Sequence, residues 1–198
     1  SYEIIKDNVQ NGPVDRDLPF GFRGIVKDYF SRHRNATLFC SSALIVKREA
    51  FNIAGKFDTR INIGEDLDMW YRIILHYPIA YYNITLAYYN HDSENRLSNI
   101  NRPDLRICMP YYMDKFDLIK DKPKDFEHYF HSYIAGFILP YYFGIRRERI
   151  IAKSIVSKFG YDKIKRKFFW LYKTPYLIGY LILLLLKMKN RIYKVHNS

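Results

Sequence analysis

The sequence predicts an α/β fold followed by an α-helical basic extension, and three patterns support that prediction. Residues 79–90 are β-branched and aromatic, the composition of one or two strands. Beyond Pro103 the sequence becomes helical in character, and residues 145–198 carry 14 Lys and Arg against 2 Asp and Glu. Apolar residues also recur after Gly64 at the spacing of one buried helical face: Leu67, Trp70, Ile74 and Tyr77.

The composition fits a globular chain of one domain with an appendage. Of its 198 residues, 48% are hydrophobic and 18% aromatic, enough for a sizeable core. The formal net charge is +12, yet residues 1–144 hold 18 basic and 18 acidic side chains, so the whole excess lies in the C-terminal part. A neutral body with a basic tail predicts that the tail meets an anionic surface. The first residue is not Met, which suggests a fragment or a processed product.

The N-terminal part is predicted to change from loops to a strand and a short helix. Turn-forming Gly and Pro residues divide residues 1–36 into loops, with a short helix or strand at 25–30. Residues 41–46 favour a strand and residues 47–51 a short helix, which Gly55 ends. We therefore expect a loop-rich connection and then a strand followed by a helix.

Glu65 and Asp66 follow Gly64 directly and therefore lie in the first turn of the next predicted helix, which Pro78 ends. Carboxylates at a helix N-terminus interact favourably with the helix dipole, so a role in starting the helix is an alternative to a functional one. Trp70 is a candidate sugar platform, but its helical spacing favours a core aromatic.

The order of these features resembles the acceptor-side half of family 2 glycosyltransferases, which have a GT-A (Rossmann-like) fold. The features are a strand, a short helix, Gly-x-Phe-Asp at 55–58, Glu-Asp at 65–66 and Trp-x-Arg at 70–72. The resemblance covers roughly residues 20–98. It implies that residues 1–98 are the acceptor-side half of a glycosyltransferase domain and that residues 99–198 are a helical extension.

The resemblance also implies an activity and roles for single residues. Family 2 enzymes of this kind are inverting, and they transfer a sugar from a nucleotide-sugar donor to a hydroxyl of a saccharide or lipid-linked acceptor. Asp66, the aspartate of the Glu-Asp pair, takes the role of general base. Glu65, Trp70 and Arg72 are the implied acceptor-binding residues. The expected setting is polysaccharide biosynthesis at the cell envelope.

A divalent metal, Mg or Mn, is implied as the cofactor. Residues 89–98 are similar to the closing loop of the same family, in which a histidine reaches the metal or the donor phosphate, so His91 is a candidate metal ligand. A solvated loop histidine is the alternative. In the family, a loop-rich segment such as residues 1–36 follows the strand that ends in the metal-binding Asp-x-Asp motif, and the triplet Asp15-Arg16-Asp17 lies within that segment and not at the end of a predicted strand. The donor-binding half and most metal ligands are therefore expected outside this chain, which would be inactive alone.

The reaction chemistry, considered without the family resemblance, favours sugar transfer over glycoside hydrolysis. A sugar hydroxyl is a poor nucleophile, so its glycosylation needs one carboxylate to take the proton and a cation on the leaving diphosphate. Glycoside hydrolysis needs two carboxylates on either side of the scissile bond. Glu65 and Asp66 are adjacent on a helix and diverge by roughly 100°, which argues against that pair.

The C-terminal extension is predicted to hold helices at 104–116, 126–139 and 146–159 and then an apolar run of 12 residues, Pro175–Leu186. A membrane-spanning helix needs about 20 apolar residues. With basic residues on both flanks, the run instead suits a helix in the interface of an anionic leaflet, and a buried core helix is the alternative. The expected location is cytoplasmic, peripheral on the inner face of the plasma membrane.

Two non-catalytic alternatives stay open for the chain. One is a membrane-surface module. The other is a nucleic-acid-binding module, because the basic and aromatic residues of the tail are the types that contact phosphates and stack on bases. Its aromatic residues are Phe168, Phe169, Trp170 and Tyr172. These aromatics adjoin a run of leucines instead of forming an isolated platform, so the sequence predicts no nucleic-acid partner.

Overall fold

The structure, a computed structural model, describes residues 2–6, 9–11, 18–32, 40–90, 92, 103–158 and 166–185. This part of the chain is a mixed α/β structure, mostly helical, with two small sheets. It divides into two compact units, residues 1–103 with 107–125 and residues 104–106 with 126–198. The predicted division into a catalytic portion and an extension at residue 98 stays a prediction.

Among the described residues of the first unit, five short strands form two sheets. The strands are β1 (Tyr2–Lys6), β2 (Val9–Asn11), β3 (Arg23–Val26), β4 (Ile79–Tyr82) and β5 (Ala87–Asn90). In the three-stranded sheet, β1 pairs antiparallel with β2 and parallel with β5, with Tyr2 opposite Ala87. In the two-stranded sheet, β3 and β4 are antiparallel, with Val26 opposite Ile79. The one or two strands expected within 79–90 are confirmed as β4 and β5, and the short helix or strand expected at 25–30 corresponds to the end of β3 and the start of the helix Tyr29–Arg32. The expectation that the rest of residues 1–36 forms mainly loops is wrong for β1 and β2.

The predicted strand at 41–46 is also wrong. Ser41–Ala43 forms a 3-10 turn, and residues 44–47 have no regular structure. A strand needs a partner, and no described strand pairs with this segment, whose Ile45 is fully exposed. The following helix exists but begins later than expected, as α2 (Ala50–Ala54), after the four-residue α1 (Tyr29–Arg32). Gly55 ends α2 with φ 77°, and its N–H donates to Phe51 O, as predicted.

The helix expected after Gly64 is confirmed as α3 (Glu65–Ile74), but its buried face is not the predicted one. Leu67, Trp70, Ile74 and Tyr77 are only half-buried. The fully buried side chains are Asp68, Met69 and Tyr71. The buried face is thus rotated about the helix axis relative to the predicted one, so that Asp68 points into the first unit, where it pairs with Arg72 and Lys115.

The remaining helices follow residue 104. The predicted helix at 104–116 consists of 3-10 segments, Leu105–Ile107 and Met109–Leu118, the second kinked at Tyr112. The predicted helices at 126–139 and 146–159 are confirmed as α4 (Lys124–Tyr142) and α5 (Arg146–Ser157), and α4 runs past Pro140 to its last turn. Two further helices are α6 (Arg166–Lys173) and α7 (176–185). No helix in the described ranges is both long enough and apolar enough to cross a membrane.

Candidate functional site

The Gly64 turn sets the position of Glu65 and Asp66. Gly64 has φ 79°, in the left-handed region, and a Cβ at this residue would lie 3.2 Å from Met109 Cβ. Glycine relieves both constraints, since it has no side chain and adopts positive φ at little cost. The two carboxylates therefore enter the first turn of α3, as the sequence predicts.

Asp66 is held in place while remaining accessible. Its Oδ2 accepts a hydrogen bond from Ser41 Oγ at 3.2 Å, and its Oδ1 accepts one from the Leu67 N–H at 2.7 Å. The residue is only half-buried, like Glu65 beside it. Glu65 makes no hydrogen bond or ion pair with another described residue. The first turn thus presents one oriented carboxylate and one unconstrained carboxylate.

Asp68, the third acidic residue of the same turn, serves the fold. Its side chain is fully buried, and its Oδ2 accepts hydrogen bonds from Arg72 Nε at 3.1 Å and Nη2 at 2.8 Å. Its Oδ1 lies 2.7 Å from Lys115 Nζ, an ion pair. Two cations therefore compensate a charge that burial alone would strongly destabilise. Asp68 has no access to a substrate hydroxyl.

Arg72 connects α3 to the end of α2. Besides Asp68, its guanidinium donates to Ala54 O and, at 3.0 Å from Nη2, to Lys56 O. These carbonyls lie at and just beyond the C-terminus of α2, where intrahelical partners are missing. The described contacts of Arg72 are thus structural, and its implied role in acceptor binding stays a prediction.

Lys115 joins this cluster from far along the chain, and sequence reasoning missed it. Its Nζ donates to Asp58 Oδ2 at 2.9 Å while it pairs with Asp68. Arg60 binds the same Asp58 carboxylate through two hydrogen bonds, Nε to Oδ1 at 2.9 Å and Nη2 to Oδ2 at 2.8 Å. The Arg60 hydrogen bonds, with a smaller contribution from Lys115, hold the pKa of Asp58 well below its usual range, although burial opposes the shift.

This depressed pKa predicts an acid sensitivity that Asp58→Asn removes. A carboxylate with a lowered folded-state pKa stabilises the fold fully above its unfolded pKa, about 3.9, and this contribution is lost as pH falls toward the folded pKa. The free energy of unfolding of the wild-type protein should therefore fall below about pH 4. In urea titrations from pH 7 to pH 2.5, the gap between wild type and Asp58→Asn should shrink. A gap that stays constant with pH would contradict the assignment.

Trp70 lies at the edge of the core and not within it. Its ring meets Phe57 edge-on, with centroids 5.9 Å apart, and Phe57 is largely exposed. Trp70 Nε1 is buried and has no hydrogen-bond acceptor among the described residues. The implied role of Trp70 in acceptor binding stays a prediction.

The metal ligands implied by the family resemblance are not found in the described ranges. His91 lies outside the described residues. Across those that are described, no group of three or more His, Cys, Asp or Glu side chains could hold a metal ion. The donor set there does not fit a divalent ion, so no chemical step is assigned to a metal.

A cleft of about 290 Å³ lies at the other end of α3. Its walls include Asp28, Tyr29, Ile74, Tyr77 and Asp125, and none of the predicted site residues lines it. Because the 10 residues of α3 span about 15 Å, the cleft and the first turn are separated by the length of the helix. The cleft is therefore not part of the candidate site.

Comparisons with models of protein families, with curated proteins and with solved structures found no match to this chain.

The aromatic residues of the basic tail are mostly covered in the second unit. Phe168 and Phe169 are half-buried, and the buried Tyr172 donates its hydroxyl to Ala135 O at 2.6 Å. Trp170 alone among these four is largely exposed. Stacking on single-stranded nucleic acid uses successive exposed rings. The burial pattern thus weighs against a stacking surface, and the absence of a nucleic-acid partner stays a prediction.

Proposed function

We propose that this chain is the acceptor-side portion of an inverting glycosyltransferase of the family 2 type. It would transfer a sugar from a nucleotide-sugar donor to a hydroxyl of a saccharide or lipid-linked acceptor, at the cytoplasmic, membrane-peripheral location expected above. The observation that carries the proposal is the contrast within one helical turn. Asp68 is buried and paired with the partly buried Arg72 and Lys115, whereas Asp66 is oriented by Ser41 and stays accessible.

Asp66 has the properties that a general base for this transfer requires. As the acceptor oxygen bonds to the anomeric carbon, its proton passes to a carboxylate oxygen of Asp66, and the bond to the nucleoside diphosphate breaks. A base must be held within hydrogen-bond reach of that proton, which the Ser41 contact favours by fixing the carboxylate orientation.

Neighbouring side chains have supporting roles in this proposal. Glu65, unconstrained and half-buried beside the base, contacts the acceptor or orients the turn. Trp70 lies beside the exposed ring of Phe57, and the face of an aromatic ring is a surface against which the C–H groups of a sugar pack. The leaving diphosphate needs a balancing cation. The described residues offer no site for it, and we attribute it to the donor-binding portion expected outside the chain.

The test is a transfer assay on the complete enzyme, this chain together with its donor-binding portion. Purified protein is incubated with a panel of nucleotide sugars and with saccharide and lipid acceptors, and release of the nucleoside diphosphate is measured. We expect release that depends on both a donor and an acceptor, and none from residues 1–198 alone. No release with any donor, together with retention of DNA in a filter-binding assay, would favour the nucleic-acid-binding module instead.

A further inference from the structure

Helix α7 is fixed to the second unit along one side. Its Gly179 is buried, and a Cβ there would overlap the ring of Phe143, so glycine permits a close approach between the helix and that ring. At its start, the Tyr176 hydroxyl donates to Gly144 O at 3.2 Å, and the Arg149 guanidinium lies 4.3 Å from the Tyr176 ring centroid. These contacts define a packed side, which leaves the opposite side free.

That opposite side is apolar and carries no charge. No Asp, Glu, Lys or Arg occurs in residues 176–185, so the exposed side of α7 has no polar stripe of the kind that surface helices normally show. We define the apolar face as the leucines and isoleucine at helical spacing on this side. Their exposed fractions are 71% for Leu177, 52% for Ile178, 57% for Leu181, 38% for Leu184 and 64% for Leu185.

A contiguous face of this kind is unusual on a surface. Single exposed leucines are normal, but contiguous exposed apolar patches mark sites that contact a partner or a membrane. The helix cannot be surrounded by lipid on all sides, because its packed side lies against protein. A planar apolar surface that covers one side only is the geometry of a helix lying in a membrane interface.

The positive charge of the C-terminal part of the chain indicates the chemistry of the partner. The chain's entire excess of positive charge lies in residues 145–198, 14 Lys and Arg against 2 Asp and Glu. Exposed basic side chains of the described second unit include Arg146, Arg147, Lys153, Lys158 and Lys173. An anionic leaflet offers both an apolar interior for the leucines and phosphate groups for these cations.

We propose that the apolar face of α7 inserts into the interface of an anionic lipid bilayer, with basic residues of the same unit contacting the lipid headgroups. The inference deepens the membrane-peripheral location of the proposed function by naming the surface, and it does not depend on sugar transfer, since vesicle binding requires neither donor nor acceptor. It assigns a specific surface, five named side chains on one side of one helix, to the membrane.

The test is flotation of the full chain with vesicles of phosphatidylcholine alone and with added phosphatidylserine. Wild-type protein should float with the anionic vesicles, and less of it should float as salt shortens the Debye length to about 8 Å at physiological ionic strength. The double variant Leu177→Glu/Leu181→Glu should lower the vesicle partition coefficient at least roughly tenfold, because two leucines leave the apolar layer. The matched control is Leu118→Glu, a leucine that is 83% exposed in the first unit, and it should bind like wild type.

A second double variant distinguishes a loss of vesicle binding from a loss of folding. Leu177→Ala/Leu181→Ala adds no charge and should also weaken binding, with an unchanged circular dichroism spectrum. The proposal is overturned if wild type ignores anionic vesicles or if both double variants bind them as wild type does. It is equally overturned if light scattering shows a dimer that the double variants disrupt while vesicle binding is absent, because a second copy would then cover the face.

Discussion

Replacing Asp66 with asparagine is expected to lower the transfer rate of the complete enzyme by roughly 10²- to 10⁴-fold. Asparagine keeps the size of the side chain and can still accept the hydrogen bond from Ser41, but it cannot take the acceptor proton. The effect should therefore appear in turnover, with little change in donor binding measured by calorimetry.

Two controls separate this effect from a general loss of acidic charge. Glu65→Gln lies one residue away and should be milder, because we assign Glu65 to positioning. Glu49→Gln removes an exposed carboxylate outside the candidate site and should leave the rate unchanged. Turnover of Asp66→Asn within a factor of about three of wild type would show that Asp66 is not the base, since a general base contributes far more.

The second large effect concerns stability at the neighbouring carboxylate. Asp68→Ala should lower the free energy of unfolding by about 3 kcal/mol, because the partly buried Arg72 and Lys115 lose the buried carboxylate that lies between them. Urea unfolding followed by circular dichroism measures the change. The loss should be the same with and without nucleotide sugar, since the side chain has no access to substrate.

Asp104→Ala is the matched control for that variant. Asp104 also pairs with an arginine, Arg106, at 2.5 Å, but both side chains are substantially exposed. Exposed ion pairs contribute about 0–1 kcal/mol, so this variant should be only slightly less stable than wild type. Equal losses for the two aspartates would contradict the assignment of Asp68 as a buried structural charge.

The sequence predicts best what is encoded locally. Helix α3, its glycine start and the strands within 79–90 follow from periodicity and turn chemistry over about ten residues. Strand β1 could not be found in this way, because its parallel partner begins at Ala87, far along the chain. The segment 41–46 has strand composition but no strand beside it, so composition alone gave the wrong prediction.

The candidate site, like the fold, is predictable from sequence only where it depends on residues that are close together in the chain. Sequence pattern placed Glu65 and Asp66 in the first turn of a helix, and the structure agrees. Pattern could not separate an accessible Asp66 from a buried Asp68, since that distinction depends on Lys115, which tertiary folding brings to the cluster. The family resemblance implies that Arg72 contacts the acceptor, and this stays a prediction; the described partners of Arg72 are a buried carboxylate and two main-chain carbonyls.

The most direct test of the central claim, that Asp66 acts as the base of an inverting sugar transfer, is NMR of the sugar product formed by the complete enzyme. Wild type and Asp66→Asn are followed side by side with the donor and acceptor identified in the transfer assay. The account predicts that wild type forms a product whose anomeric configuration is opposite to that of the donor, and that Asp66→Asn forms almost none in the same time. Retained configuration, or equal product from both proteins, would contradict it.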